Sequence, residues 1–464
     1  MFPGSFIKRL EGQEYIDQDD LLASLKEPSP VSIMINRSKW TRFPEGAEPV
    51  PWCESGFYLQ ARPSFTLDPL FHAGCYYPRE ASGMFIEEAL RQSVEDNNNL
   101  RVLDLCGAPG GKSIHLSGLI NGNSLLISNE VIRTRASILD ETITKWGCTN
   151  TLVTNNDPAA FGRLKGYFDV IVADVPCSGE GMFRGRVAVD QWSEENAFHC
   201  SERQKRIISD VWPALRENGI LIYSTCTFNP DENEKNISWL IDNYEAEIVP
   251  LDVSSFTGIT GVDYNGIKGY GFYPGKIRGE GFFLSVIRKT SAEVNGINST
   301  GAKYKELIPE KRDISLAGTW IEISDERIIR KNDALTALPC AISEYLAITR
   351  YLNIIRHGIH IASIKGKDYI PVSELVLAQS FKSTAFPSMD ADYETALKFL
   401  HRDSISAGSI PVGWNTVTYM KQNLGLIKCI GQRVNNYYPV SWRIRMDLTA
   451  LKDKTIISWN DRQQ

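Results

Sequence analysis

The sequence predicts an α/β protein whose central domain is a doubly wound, mostly parallel sheet with smaller modules on either side. Between residues 76 and 290, short apolar runs alternate with longer segments of helical spacing. Those runs cluster apolar side chains as strands buried on both faces do. One of them, Leu100–Leu105, leads into the turn Cys106-Gly107-Ala108-Pro109-Gly110-Gly111 and then a helix from Lys112 to Leu119. A strand, a glycine turn and a helix N-terminus let bare backbone approach a ligand closely.

At 464 residues the chain is too long for one core. We expect an N-terminal module over 1–75, the central domain over 76–290, a mixed α/β module over 303–384 and a β-rich module over 385–464. No apolar run approaches the length of a membrane span, and the N-terminus lacks a signal-peptide core. The nine cysteines are scattered without a C-x-x-C, and the six histidines do not pair with them at zinc spacing, so no metal is expected. A reduced cytoplasm, no membrane partner and a monomer are the expectations. A net charge of −6 means that any nucleic-acid site must be a local patch.

In chain order, Pro3–Leu10 and Asp17–Leu25 read as helices, Ser32–Asn36 as a strand and Pro44–Pro51 as a loop. Arg37, Lys39, Trp40 and Arg42 suit either stacking on RNA or a solvated turn, and nothing else here carries chemistry. Pro63–Phe85 leads into a helix that ends near Glu95. Strands follow at Leu100–Cys106, Ser124–Glu130, Thr151–Asn156, Phe168–Val175, Gly219–Thr225, Ala246–Leu251 and Gly281–Arg288. Val253–Gly279 is an insertion, either a substrate-facing loop or an exposed hairpin. Thr290–Ala302 reads as a linker, and Ala341–Arg350 as a helix in the mixed module. His357 and His360 read as surface or strand residues rather than ligands. Ile410–Trp414 and Leu424–Lys428 read as strands of the last module.

Two familiar phosphate loops do not fit the turn. A P-loop needs glycine where Cys106 stands, and the dinucleotide pattern G-x-G-x-x-G is absent. A strand ending in Asp104 before such a turn suits S-adenosylmethionine, although a plain strand-to-helix turn remains an alternative. Acids stand at successive strand ends: Asp104, Glu130, Asp157 and Asp174. Glu130 has the spacing at which an acid accepts from ribose hydroxyls, and Asp157 is placed to accept from the adenine amino group. Cys177 and Cys226 follow the next two strand ends. A thiolate beside a methyl-donor pocket can activate cytosine carbon 5 by adding to carbon 6.

Three motifs now resemble those of the Sun-type (Fmu) RNA cytosine-5 methyltransferases: D-L-C-G-A-P-G-G-K, D-V-P-C-S-G-E-G and Y-S-T-C-T-F-N-P-D-E-N-E. The lead-in SFTLDPLFHAGCYYPREASGMF and the closing strand RGEGFFLSVIRK resemble the family too. The likeness is strongest to its bacterial members that act on 16S ribosomal RNA. It implies a Rossmann-like methyltransferase domain that binds S-adenosylmethionine. It also implies that Cys226 is the nucleophile, that Cys177 assists proton removal and release, and that Asp174 holds the cytosine ring and approaches the cofactor. Cys106, Gly107, Ala108, Pro109, Gly110, Gly111, Lys112, Glu130, Asp157 and Asp174 would hold the cofactor, with Lys112 also near the reacting centre. Tyr273-Pro274-Gly275 departs from the pattern, since relatives often carry a polar residue after the proline.

Near the C-terminus, Lys421, Lys428, Arg433, Arg443 and Arg445 are interleaved with Tyr437, Tyr438 and Trp442. Such a composition suits phosphate contact and base stacking, with Tyr437 as a stacking candidate. The resemblance implies a PUA-like RNA-binding module here. The expected partner is ribosomal RNA, in the small subunit or its assembly intermediates. A transfer-RNA methyltransferase and a catalytically silent ribosome-assembly factor are the alternatives.

Overall fold

The computed structural model describes residues 2–461 apart from 122, 293–306, 407, 409 and 449–454. At its centre β1 (Arg101–Asp104), β2 (Leu125–Asn129), β3 (Thr151–Thr154), β4 (Phe168–Asp174) and β5 (Leu215–Thr225) run parallel, in the order β3-β2-β1-β4-β5. Helices α1 (Gly111–Leu119) and α2 (Arg133–Trp146) are the first crossovers. Successive side chains of a strand point to opposite faces, and here both faces are covered. Val102, Leu126, Val170 and Ile222 enter one core, while Leu103, Ile127, Ile171 and Leu221 enter the other. That is why the strands read as apolar clusters rather than as alternation.

The sheet is mostly parallel, as expected, with antiparallel pairing at its edges. Strands β6 (Ala246–Ile248), β7 (Thr260–Tyr264), β8 (Ile267–Phe272), β9 (Phe282–Lys289) and β10 (Ile354–Arg356) all pair antiparallel. Three of its ten strands, β7, β9 and β10, therefore run against the other seven. The insertion after Val253 supplies β7 and β8, a hairpin paired into the sheet beyond β9, and β10 comes from the mixed module to cover the opposite edge at β3. The expected linker lies, from residue 293 onward, outside the described residues.

The flanking modules are tied together. The N-terminal sheet of Val31–Ile35, Glu48–Pro49, Gly56–Leu59 and Tyr76–Pro78 shares one core with the C-terminal module. Ile33, Leu67 and Leu70 pack there with Phe399, Leu424 and Tyr438. Phe43–Pro44 pairs antiparallel with Trp459–Asn460. Tyr393 Oη donates to the Leu67 carbonyl at 3.1 Å.

This arrangement decides the fate of the basic and aromatic stretch at 37–42. Lys39 Nζ donates to the carbonyls of Ala73 and Lys145 at 2.9 and 2.7 Å. Trp40 is buried edge-on to Trp459, Arg37 covers the Phe43 ring, and Arg42 pairs with Asp461. Lys39, Trp40 and Arg42 thereby join the N-terminal module to other parts of the chain.

The last module forms a four-stranded sheet of Ser388–Asp390, Gly413–Tyr419, Gln422–Ile430 and Arg433–Asn436. Its second strand starts at Gly413, later than the expected Ile410. Pro411 has no N–H to give a ladder, and Gly413 takes φ +114°. Among the described residues no helix is long and apolar enough to cross a membrane.

Candidate active site

The site forms where β1, β4 and β5 end. Gly107 closes the turn after β1 because a Cβ there would stand 2.8 Å from Ser113 Oγ and 3.2 Å from Asp104 Oδ2. Those two groups are themselves hydrogen-bonded at 2.6 Å, which ties the strand end to the first turn of α1. Asp104 is fully buried, its Oδ1 has no protein partner, and burial pushes its carboxyl up to about 6.

Beside this turn lies a cavity of about 580 Å³, within the range of cofactor sites. Its walls include Cys106, Gly107, Ala108, Pro109, Gly111 and Lys112 on one side and Asp174, Met182, Cys226 and Phe282 on the other. Burial pushes the Cys106 thiol well up, which leaves it a protonated wall residue and not a nucleophile.

Asp174 ends β4 in register with Ser224 of β5. Its Oδ1 accepts from Ser224 Oγ and its Oδ2 from Lys112 Nζ, both at 2.8 Å. Lys112 Nζ also lies 5.6 Å from the centre of the Phe282 ring. Because adjacent parallel strands end level, the residues just past them meet. Cys177 Sγ and Cys226 Sγ are 3.2 Å apart, and the Cys226 amide donates to Cys177 Sγ at 3.3 Å. Only Cys226 of the two lines the cavity. The contact with Cys226 and burial push the Cys177 thiol well up, so Cys177 stays protonated.

Two supports of this loop escaped the sequence reading. Glu232 is fully buried and accepts from Ser178 N at 2.8 Å, Ser178 Oγ at 2.5 Å, Gln204 Nε2 at 3.1 Å and Asn229 Nδ2 at 3.2 Å. It fixes the residue after Cys177, and burial pushes its carboxyl up to about 7. Glu180 is held by Arg9 and by Trp192 Nε1, the latter at 2.9 Å. Arg9 thus brings the first helix into the site, where no chemistry was expected. Phe6, Leu10, Phe183 and Phe228 pack in the same small core. The acid- and amide-rich run just past Cys226 was a signal for Glu232. Nothing near Arg9 in the sequence signalled its partner.

Glu130 and Asp157 stand at the neighbouring strand ends but do not line the cavity. Glu130 is buried, accepts from its own Ile132 N at 2.9 Å and has Arg135 at 3.5 Å. Asp157 caps a short 3-10 turn through Ala159 N and faces Arg206 at 3.6 Å.

The basic candidates of the last module do not form one patch. Lys428 lies 5.1 Å over the Trp414 ring, which meets exposed Tyr437 edge-on at 4.5 Å. Lys421 and Arg433 sit at opposite ends of the nine-residue strand Gln422–Ile430, about 30 Å apart at roughly 3.3 Å per residue. Arg443 and Arg445 are exposed beyond the turn at 440–442.

Residues 91–288 match the profile of the family described as 16S rRNA methyltransferase RsmB/F. Residues 2–81 match the N-terminal domain of 16S rRNA methyltransferase RsmF, and residues 386–444 match the methyltransferase RsmF PUA domain. The chain belongs to the RsmF-like Sun-type methyltransferases. It is 29% identical to the ribosomal RNA small subunit methyltransferase F of Escherichia coli strain SE11, with 94% of this chain and 96% of that one covered. The protein of the same name from Klebsiella pneumoniae strain 342 is 28% identical over the same shares. A methyltransferase homolog protein from Pyrococcus horikoshii, 26% identical, covers 61% of this chain and 95% of its own at a TM-score of 0.51. NSun6 from Pyrococcus horikoshii with SFG shares the fold at a TM-score of 0.51 and 18% identity, with 62% and 99% covered. As a Sun-type methyltransferase the chain is an S-adenosylmethionine-dependent enzyme with a Rossmann-like domain and a C-terminal PUA domain. The residues present fit that cofactor: a cavity of matching size beside the turn and a leftover buried acceptor at Asp104.

Proposed function

We propose that this enzyme methylates carbon 5 of a cytosine in 16S ribosomal RNA, with Cys226 as the nucleophile. The observation that carries the reading is the pair of thiols 3.2 Å apart, of which only Cys226 faces the cavity. The relatives named above, ribosomal RNA small subunit methyltransferases, support the substrate. S-adenosylmethionine bound against Cys106–Lys112 supplies an electrophilic methyl group.

The chain's own residues do the rest. Cys226 Sγ, as thiolate, bonds to carbon 6 and makes carbon 5 nucleophilic. Asp174 is fixed by Ser224 and Lys112 and holds the ring from its nitrogen side. Once carbon 5 carries the methyl group, its proton leaves to a base or water assisted by the protonated Cys177. The electrons of that C–H bond restore the ring double bond as the Cys226–carbon 6 bond breaks. The target base must be unpaired or flipped out for carbon 6 to be reached. Glu130 and Asp157, at the next strand ends, complete the cofactor site on this reading, and the exposed face around Lys428 and Tyr437 contributes to RNA affinity.

The test is methyl transfer to 16S RNA, transfer RNA and assembled small subunits, mapped by bisulfite sequencing. New 5-methylcytosine in 16S RNA is expected. Methylation of transfer RNA alone would overturn the substrate, and no methylation of any RNA would overturn the activity.

A further inference from the structure

Away from the active site, three side chains from three separate segments converge. Cys53 lies in the turn before Gly56–Leu59 of the N-terminal sheet, Glu87 on the helix Ile86–Ser93, and His115 on α1. One ligand atom from each lies within 4.8 Å of the others. His115 Nε2 is 2.8 Å from Glu87 Oε2 and 3.7 Å from Cys53 Sγ. Cys53 and His115 are each 4% exposed. The second Glu87 oxygen accepts from Glu54 N at 3.2 Å, which turns the first toward the cluster.

One nitrogen, Nε2, faces both the sulfur and the carboxylate. An ion between the three atoms serves all of them. A tetrahedral zinc with bonds of about 2.0–2.3 Å needs donors about 3.3–3.6 Å apart, so the cluster closes on an ion with shifts of about an ångström. A cavity of about 400 Å³, lined by Glu54, Ser55, Glu87 and His115, gives access and room for a water as fourth ligand.

We propose that Cys53, Glu87 and His115 form a transition-metal site, fitted to zinc, that clamps the N-terminal module onto α1. The mixed S, N, O set is one that zinc accepts. Ligation takes Cys53 as its thiolate, so metal uptake releases that proton. His115 lies one turn along α1 from Lys112, so the clamp would steady the helix that starts at the cofactor turn.

The experiment uses the full chain with Cys177→Ala and Cys226→Ala, which removes the other close pair of thiols. After chelator treatment it is titrated with cobalt(II), and zinc content after reloading is measured by mass spectrometry. One equivalent of bound metal is expected, with a thiolate-to-cobalt charge-transfer band and tetrahedral visible bands. Adding Cys53→Ser should abolish the band, and Glu87→Gln should weaken affinity at least tenfold. Zinc should raise the thermal midpoint of the parent and leave that of His115→Ala unmoved. Absence of metal uptake by the parent, or a band that survives Cys53→Ser, would overturn the site. Circular dichroism checks the fold, and Glu87→Gln, a near-isosteric change, keeps the test decisive if a cysteine or histidine variant unfolds.

Discussion

The strand-end cluster and the surface of the last module are both rich in polar groups, but they are organised in opposite ways. Around Cys177 and Cys226 the groups converge, and Asp174 and Glu232 are each held by two or more donors. Lys421, Lys428, Arg433, Arg443 and Arg445 are instead spread over a sheet, its turns and the segment beyond, with Trp414 touching both Lys428 and Tyr437. Bond making needs groups converged on one atom. Phosphate contact tolerates dispersal, since each charge acts on a long polyanion. Substitutions should accordingly have steep, qualitative effects in the first region and shallow, additive ones in the second.

The steepest expected effect separates the two thiols. Cys226→Ser should abolish turnover and form no adduct with RNA. Cys177→Ser should still attack and transfer methyl but stall before release, leaving a gel-stable protein–RNA complex that the double variant lacks. Trapping by Cys226→Ser instead would exchange their roles.

Next in size is the support behind Cys177. Glu232→Ala strips four donors of their acceptor, at roughly 1–3 kcal/mol for each buried group left unsatisfied. Its turnover should fall at least tenfold, with cofactor affinity little changed. The same carboxyl gives a pH signature. Its folded pKa, about 7 against an ordinary 4.5, means that the folded state holds the proton more tightly. Its contribution to stability is therefore present below 4.5 and lost as pH rises to 7. In denaturant titrations across that window, Glu232→Gln should lose less stability than the parent. Parallel curves would show that Glu232 is ionised throughout.

Smaller again is the cofactor-side acid. Glu130→Ala should weaken S-adenosylmethionine binding about tenfold, read by calorimetry, which corresponds to about 1.4 kcal/mol. Unchanged affinity in a folded variant would remove Glu130 from the site.

The shallowest effects belong to the dispersed surface. Lys428→Ala and Tyr437→Ala should each weaken RNA binding a few-fold and leave cofactor affinity alone. Only the lysine change should flatten the salt dependence, because a stacking ring releases no counterions. A collapse of binding on either single change would erase the contrast between the two regions.

How far each region was legible follows from the same physics. The cysteines, Asp174, Lys112 and the glycine turn stand in contiguous motifs at strand ends, so local sequence carried their placement. Glu232 stood inside a quoted motif, but its task, supporting Ser178, depends on two loops meeting. Arg9 meets Glu180 across 171 positions, and no local pattern announces such a pair. The stretch 37–42 and the patch around Lys428 have the same composition and opposite fates. Lys39 and Trp40 found partners in other segments while Tyr437 stayed exposed, and composition does not record where partners will be. The edge strands β7, β8 and β10 were missed for a like reason, because they join the sheet from later in the chain.

The pairing of Phe43–Pro44 with Trp459–Asn460 also sets a schedule for biosynthesis. At roughly 5–20 residues per second, a ribosome needs about 20–80 s to travel from Tyr76 to Trp459. For most of that interval, until residues 399–438 are made, Ile33, Leu67 and Leu70 lack the partners Phe399, Leu424 and Tyr438. The nascent N-terminal module is thus an open half-core waiting for its complement, and a natural client for chaperones that bind exposed apolar surface. Stalling translation shortly before Trp459 should leave this module protease-sensitive while the central sheet is already resistant.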